Sequence, residues 1–145
     1  MSRPDGGIDP DVLELARHVF DLARGGAAEE LAAYIDAGVP ADLTNERGDT
    51  LLILAAYHVH PGAVAVLLAR GADPNRVNDR GQTALAAAAF RRSAGTVRLL
   101  VEAGADPDGG SPSARATADF YGLAEMAALL GVTPVEGGPA EERPS

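Results

Sequence analysis

The 145-residue chain contains no cysteine, no lysine and no tryptophan. Without cysteine there are no disulfides, no thiolate metal sites and no cysteine nucleophile. Aromatic residues make up 4% of the chain, so a core has to be assembled from Ala, Leu and Val. Alanine alone supplies 29 residues, and small side chains suit helices that pack close together. All twelve basic residues are arginine, against 21 acidic ones, for a net charge of -9. The longest basic run is Arg91-Arg92, too short for the clustered charge that a phosphate backbone requires, so nucleic acid is not an expected partner. The same acidity disfavours anionic membranes, and no stretch approaches the 18 or so apolar residues of a membrane span. The opening residues Met1 to Gly7 lack the apolar core of a secretion signal, so a cytoplasmic location is expected. What is present is ordinary for one globular domain: 46% hydrophobic and 23% charged residues.

The chain is periodic. Gly38, Gly71 and Gly104 are spaced 33 apart, as are Gly48 and Gly81, and Thr50 and Thr83. A fixed period in this range marks a stack of helical units. Each unit holds two short apolar segments and one polar Gly/Pro/Asn/Asp segment. Leu52, Ala55 and Ala56 fall on one side of the first helix of the second unit, and Val64, Leu67 and Leu68 on one side of its second helix. Leu85, Ala88 and Ala89, then Val97, Leu100 and Val101, answer to them in the third. Gly38, Gly71 and Gly104 suit the left-handed residue past a helix end. Asn45 to Gly48 and Asn78 to Gly81 read as tight turns, and Thr50 and Thr83 sit where an N-cap belongs.

These segments resemble the ankyrin repeat. Asn45-Glu46-Arg47-Gly48-Asp49-Thr50-Leu51-Leu52, with Ala55-Ala56, Leu67-Leu68 and Gly71-Ala72-Asp73-Pro74-Asn75, reproduces nearly a whole unit, and Asn78 opens the next. The resemblance implies an all-α solenoid of four repeats with β-turn tips, over units of about 9–44, 45–77, 78–110 and 111–131. In the atypical fourth unit, helices are expected over 112–120 and 123–130. Residues 1–8 and the acidic, Pro/Gly-rich 132–145 are expected to be disordered. The family's Thr-Pro-Leu-His tetrapeptide stands here as Thr50-Leu51-Leu52-Ile53 and Thr83-Ala84-Leu85-Ala86, without its proline or histidine.

Chemistry is sparse. The pair His58 and His60 falls at a helix end and turn, where the rings diverge, and no acidic residue lies near it in sequence; His60 takes the place of a turn histidine. Asp42, Asp73 and Asp106 recur once per unit, which fits a turn role better than an active site. No nucleophile elbow or phosphate loop is present. The expectation is therefore a non-enzyme with no metal and no cofactor.

The resemblance implies instead a concave face that binds another protein. Its contact positions are Arg24, Tyr57-His58, Phe90-Arg91 and Phe120-Tyr121, joined by the tip residues Glu46, Arg47, Asp49, Asp79, Arg80 and Gln82. Four of the six aromatics fall there, and aromatics with arginine are the residue types enriched at binding hot spots. The competing reading buries Phe90 and Phe120 in inter-repeat grooves, while Phe20 and Tyr34 pack within the first repeat. The functional expectation is a monomeric adaptor or regulatory binding protein, similar to short stand-alone bacterial ankyrin proteins. Two alternatives stay open: an inhibitor or immunity-type protein that masks a basic partner, and a small-molecule or metal binder around His58.

Overall fold

The computed structural model describes residues 10–131, and the expectations for 1–8 and 132–145 lie outside them. Eight helices follow in pairs: α1 (Pro10–Gly25) and α2 (Ala28–Asp36), α3 (Leu51–Tyr57) and α4 (Pro61–Ala69), α5 (Ala84–Phe90) and α6 (Ala94–Glu102), α7 (Ala114–Phe120) and α8 (Ala124–Gly131). The first helices α1, α3, α5 and α7 stack in one layer and the second helices α2, α4, α6 and α8 in another. Each unit thus buries its apolar face on its neighbours.

Local chemistry sets the boundaries. The Thr50 hydroxyl accepts a hydrogen bond from the Ile53 amide at 3.0 Å, and Thr83 does the same for Ala86. Ser113 caps α7 in the same way, through the Ala116 amide. It lies 30 residues after Thr83, not 33, so the fourth unit begins three residues early. After the second helices the chain turns through Gly38, Gly71 and Gly104, all at positive φ.

The core differs from the one-sided pattern read from the sequence. Leu51 through Ala56 are all buried, six in a row, and so are Ala84 through Ala89. These short helices are covered by a layer mate above and below and by their own second helix. Four alanines in succession at Ala86 to Ala89 let these surfaces approach closely.

The recurring loop carboxylates have the turn role expected of them. Asp42 accepts from the Asp73 amide at 2.8 Å and Asn75 from the Asp106 amide at 2.7 Å, each reaching into the next unit. Asp73 and Asp106 each also accept from the amide two residues on. On the same side, the Arg70 guanidinium grips both oxygens of Asp36 at 2.9 and 3.1 Å, and this hydrogen-bonded partner holds the Asp36 carboxyl below its usual 3.8.

Candidate functional site

The tips and the first helices bound a groove. Asn45 shapes the first tip by accepting from the amides of Arg47 (2.9 Å) and Asp49 (3.0 Å). Asn78 repeats this with Arg80 and Gln82, both at 2.9 Å. Backbone bonds stitch tip to tip: the Asp79 amide donates to the Arg47 carbonyl at 3.0 Å, and the Ser111 amide to the Gly81 carbonyl at 2.9 Å. At Gly110 a Cβ would lie 2.7 Å from that Gly81 carbonyl, and φ is +82°, so both the contact and the backbone call for glycine.

Asp49 was expected among the exposed tip residues, and here the structure corrects the sequence. It is 6% exposed, and its carboxylate accepts a 2.8 Å hydrogen bond from the side-chain Nδ2 of buried Asn78. A buried carboxylate needs such a donor, so Asp49 ties one tip to the next rather than facing outward. The other tip residues, Glu46, Arg47, Asp79 and Arg80, are exposed, and Gln82 is half-buried.

The aromatics lie along the floor. Phe90 is 42% exposed, Tyr121 49% and Phe120 81%, so neither phenylalanine is a core residue. Their rings meet edge to face, Phe90 on Tyr121 at 5.6 Å between centroids and Phe120 on Tyr121 at 4.9 Å. Tyr57 is half-buried, with the His58 ring against its edge and the Arg91 guanidinium 5.2 Å above its face. Phe20 is buried in the first repeat, as expected, and half-buried Tyr34 meets His18 at 5.5 Å.

Two cavities open into this groove. One, about 330 Å³, is lined by Tyr57, Arg80, Gln82, Phe90, Pro112 and Tyr121, among others. The other, about 160 Å³, shares Tyr57, Arg80 and Gln82 and adds Arg24, Arg47 and His58. Partial burial, followed by the positive charges of His60, Arg24 and Arg91, keeps the His58 pKa below its usual 6.5. Pro112 escaped the sequence reading as a groove residue. With the fourth unit offset by 30, it takes the place that Gln82 holds in the third.

His58 and His60 part company. His60 Nε2 donates to the Arg24 carbonyl at 2.8 Å, which pins the α3–α4 turn to the α1–α2 turn. Gly26 makes room for it, since a Cβ there would lie 2.5 Å from the imidazole. Among the described residues no three His, Cys, Asp or Glu side chains converge to hold a metal ion, and no helix is long and apolar enough to cross a membrane.

Paired short helices in two layers, capped tips and a groove between tips and inner helices define a helical repeat protein. Sequence comparison identifies the repeat: residues 20–109 match the family of ankyrin repeats, as three copies. The chain belongs to the ankyrin repeat family, whose repeats form protein–protein interaction modules. It is also similar to a protein of Pseudomonas aeruginosa that bears an ankyrin repeat name, with 41% identity over 62 residues. That stretch is 43% of this chain and 35% of the relative, so the similarity covers about a third of the relative's length.

Proposed function

We propose that this chain is a non-enzymatic binding protein of the cytoplasm, acting as a monomeric adaptor or regulatory module that holds another protein in the groove between its tips and its first helices. The observation that carries the reading is the gathering of a scarce residue class on one surface. Tyr57, Phe90, Phe120 and Tyr121 all lie there with some or most of their surface open, beside Arg80 and Arg91. Large rigid aromatic side chains give much contact area for little lost conformational freedom, which is why they anchor protein interfaces.

The test is the triple variant Tyr57→Ala, Phe90→Ala, Tyr121→Ala, used beside the native chain as bait in interaction mass spectrometry. The native bait is expected to retain a partner that the variant loses. Stability should change by no more than about 2 kcal/mol, since none of the three is fully buried. A variant that unfolds would show the three rings to be core. One that folds and retains every partner would place the binding surface elsewhere.

A further inference from the structure

We infer that the groove takes an acidic polypeptide segment carrying a large apolar side chain, with the acidic residues lying over Arg24, Arg47 and Arg80 and the apolar residue in the cavity between Tyr57, Phe90 and Tyr121. The inference rests on the protein-binding reading above and adds the chemistry of the partner.

The first ground is sign. The chain carries -9 overall, yet the smaller cavity is lined by three arginines against one carboxylate. Arg24, Arg47 and Arg80 line the smaller cavity with His58, and Arg91 stands over Tyr57 beside it. Of these arginines only Arg24 has an ion pair among the described residues, with Asp21 at 3.0 Å. The one carboxylate lining that cavity is Asp49, which is buried and bonded to Asn78. The guanidiniums of Arg47 and Arg80 are therefore left for a carboxylate from outside, and a planar guanidinium recognises a carboxylate with two parallel bonds.

Continuity is the second ground. The two cavities share Tyr57, Arg80 and Gln82, so one segment can span both. The larger is floored by Phe90, Tyr121 and Pro112, and its 330 Å³ is ample for one Leu, Phe or Trp side chain. Length also discriminates. A short acidic segment stays within about 10 Å of the arginines, one screening length, whereas a nucleic acid carries its charge on past the groove along an acidic surface.

A display selection with random short peptides against the full chain tests this. Parallel baits are Arg47→Gln/Arg80→Gln, Arg47→Glu/Arg80→Glu and Tyr57→Ala/Tyr121→Ala, each checked for native helicity. The native chain should enrich peptides rich in Asp and Glu with at least one large apolar residue. A fluorescein-labelled member should bind about tenfold more weakly to the Gln pair, more weakly still to the Glu pair, and lose affinity as salt rises. Neutral or basic peptides that need Tyr57 and Tyr121 would overturn the acidic partner and leave the protein-binding groove standing. Enrichment equal on the native and the Tyr57→Ala/Tyr121→Ala baits would overturn both.

Discussion

The two central repeats and the two end repeats are built on one plan and solve it differently. The chain reverses between the first and second helix through one left-handed residue per unit. In the end repeats that residue is glycine, Gly26 at φ +76° and Gly122 at +64°. In the central repeats it is Val59 at +62° and Arg92 at +60°. A side chain in this region costs roughly 1–2 kcal/mol, more for a β-branched one. The central turns are held between neighbours on both sides, which can over-determine a strained residue. An end repeat has one neighbour and uses the residue that fits without strain. Burial follows the same division. Helices α3 and α5 each bury six residues in succession, whereas α7 buries only Ala114, Thr117 and Ala118, and α1 leaves Val12, Leu13 and Leu15 about 40% exposed. The buried runs of α3 and α5 need no amphipathic period because a layer mate covers them on either side, whereas α1 and α7 keep a solvent face.

The sharpest way to break this comparison is to cut equal cavities in the two regions. Leu85→Ala, at a site with no exposure in the third repeat, should cost about 3–5 kcal/mol, because neighbours on every side prevent collapse around the void. Leu130→Ala, 4% exposed in the last turn of α8, should cost about 2 kcal/mol, since the outer helix can settle into the gap. Urea unfolding followed by circular dichroism measures both. Equal losses would mean that the last repeat is held as firmly as the centre.

A smaller effect probes the turns directly. Arg92→Gly should raise stability by about 0.5–1 kcal/mol, the relief of left-handed strain less the entropy that glycine adds to the unfolded chain. Arg92 is exposed, so little packing is lost. Gly122→Ala should lose about 1 kcal/mol, as its φ of +64° disfavours any side chain even though open space surrounds it. The urea midpoint should move without a change in slope. A fall in midpoint for Arg92→Gly would show that the arginine makes contacts worth more than the strain.

Much of the fold was legible because its punctuation is local. Gly38, Gly71, Thr50 and Thr83 act through their own turn or cap, so their type and spacing carry the meaning. Burial of Leu51, Ile53 and Leu54 was not legible, since it arises from neighbours 33 residues away and leaves no period within the helix. Ser113 was hidden by the three-residue shortening of the last unit. Asp49 misled because an acidic residue in a turn reads as solvated unless its partner is known, and that partner, Asn78, lies 29 residues on. The site was half legible. Its aromatics were read from their position in the repeat, but the three arginines that line its smaller cavity were lost in a chain of net charge -9 with no basic run. The signal lay in the period: Arg47 and Arg80 stand 33 apart, as do His58 and Arg91, so each pair stacks.

The smallest expected effect concerns the proline that ankyrin helices commonly carry and this chain lacks. Ala84 is the first residue of α5, where the amide has no intrahelical acceptor, so replacing it by proline removes no helix bond. Thr83 before it has φ -100° and ψ 164°, the extended backbone that a following proline ring demands, and its cap to the Ala86 amide is untouched. Ala84→Pro should therefore stabilise by roughly 0.4–1 kcal/mol, chiefly by restricting the unfolded chain. The opposing factor is space, since Ala84 is 1% exposed and the ring adds two carbons. Ala114 is the matched site in the end repeat: also buried, also the first residue of its helix, after Ser113 at ψ 168°. If the gain comes from the unfolded chain, Ala114→Pro should raise the urea midpoint by a similar amount. If Ala84→Pro lowers the midpoint and Ala114→Pro raises it, close packing by two neighbours, present only in the centre, excludes the ring.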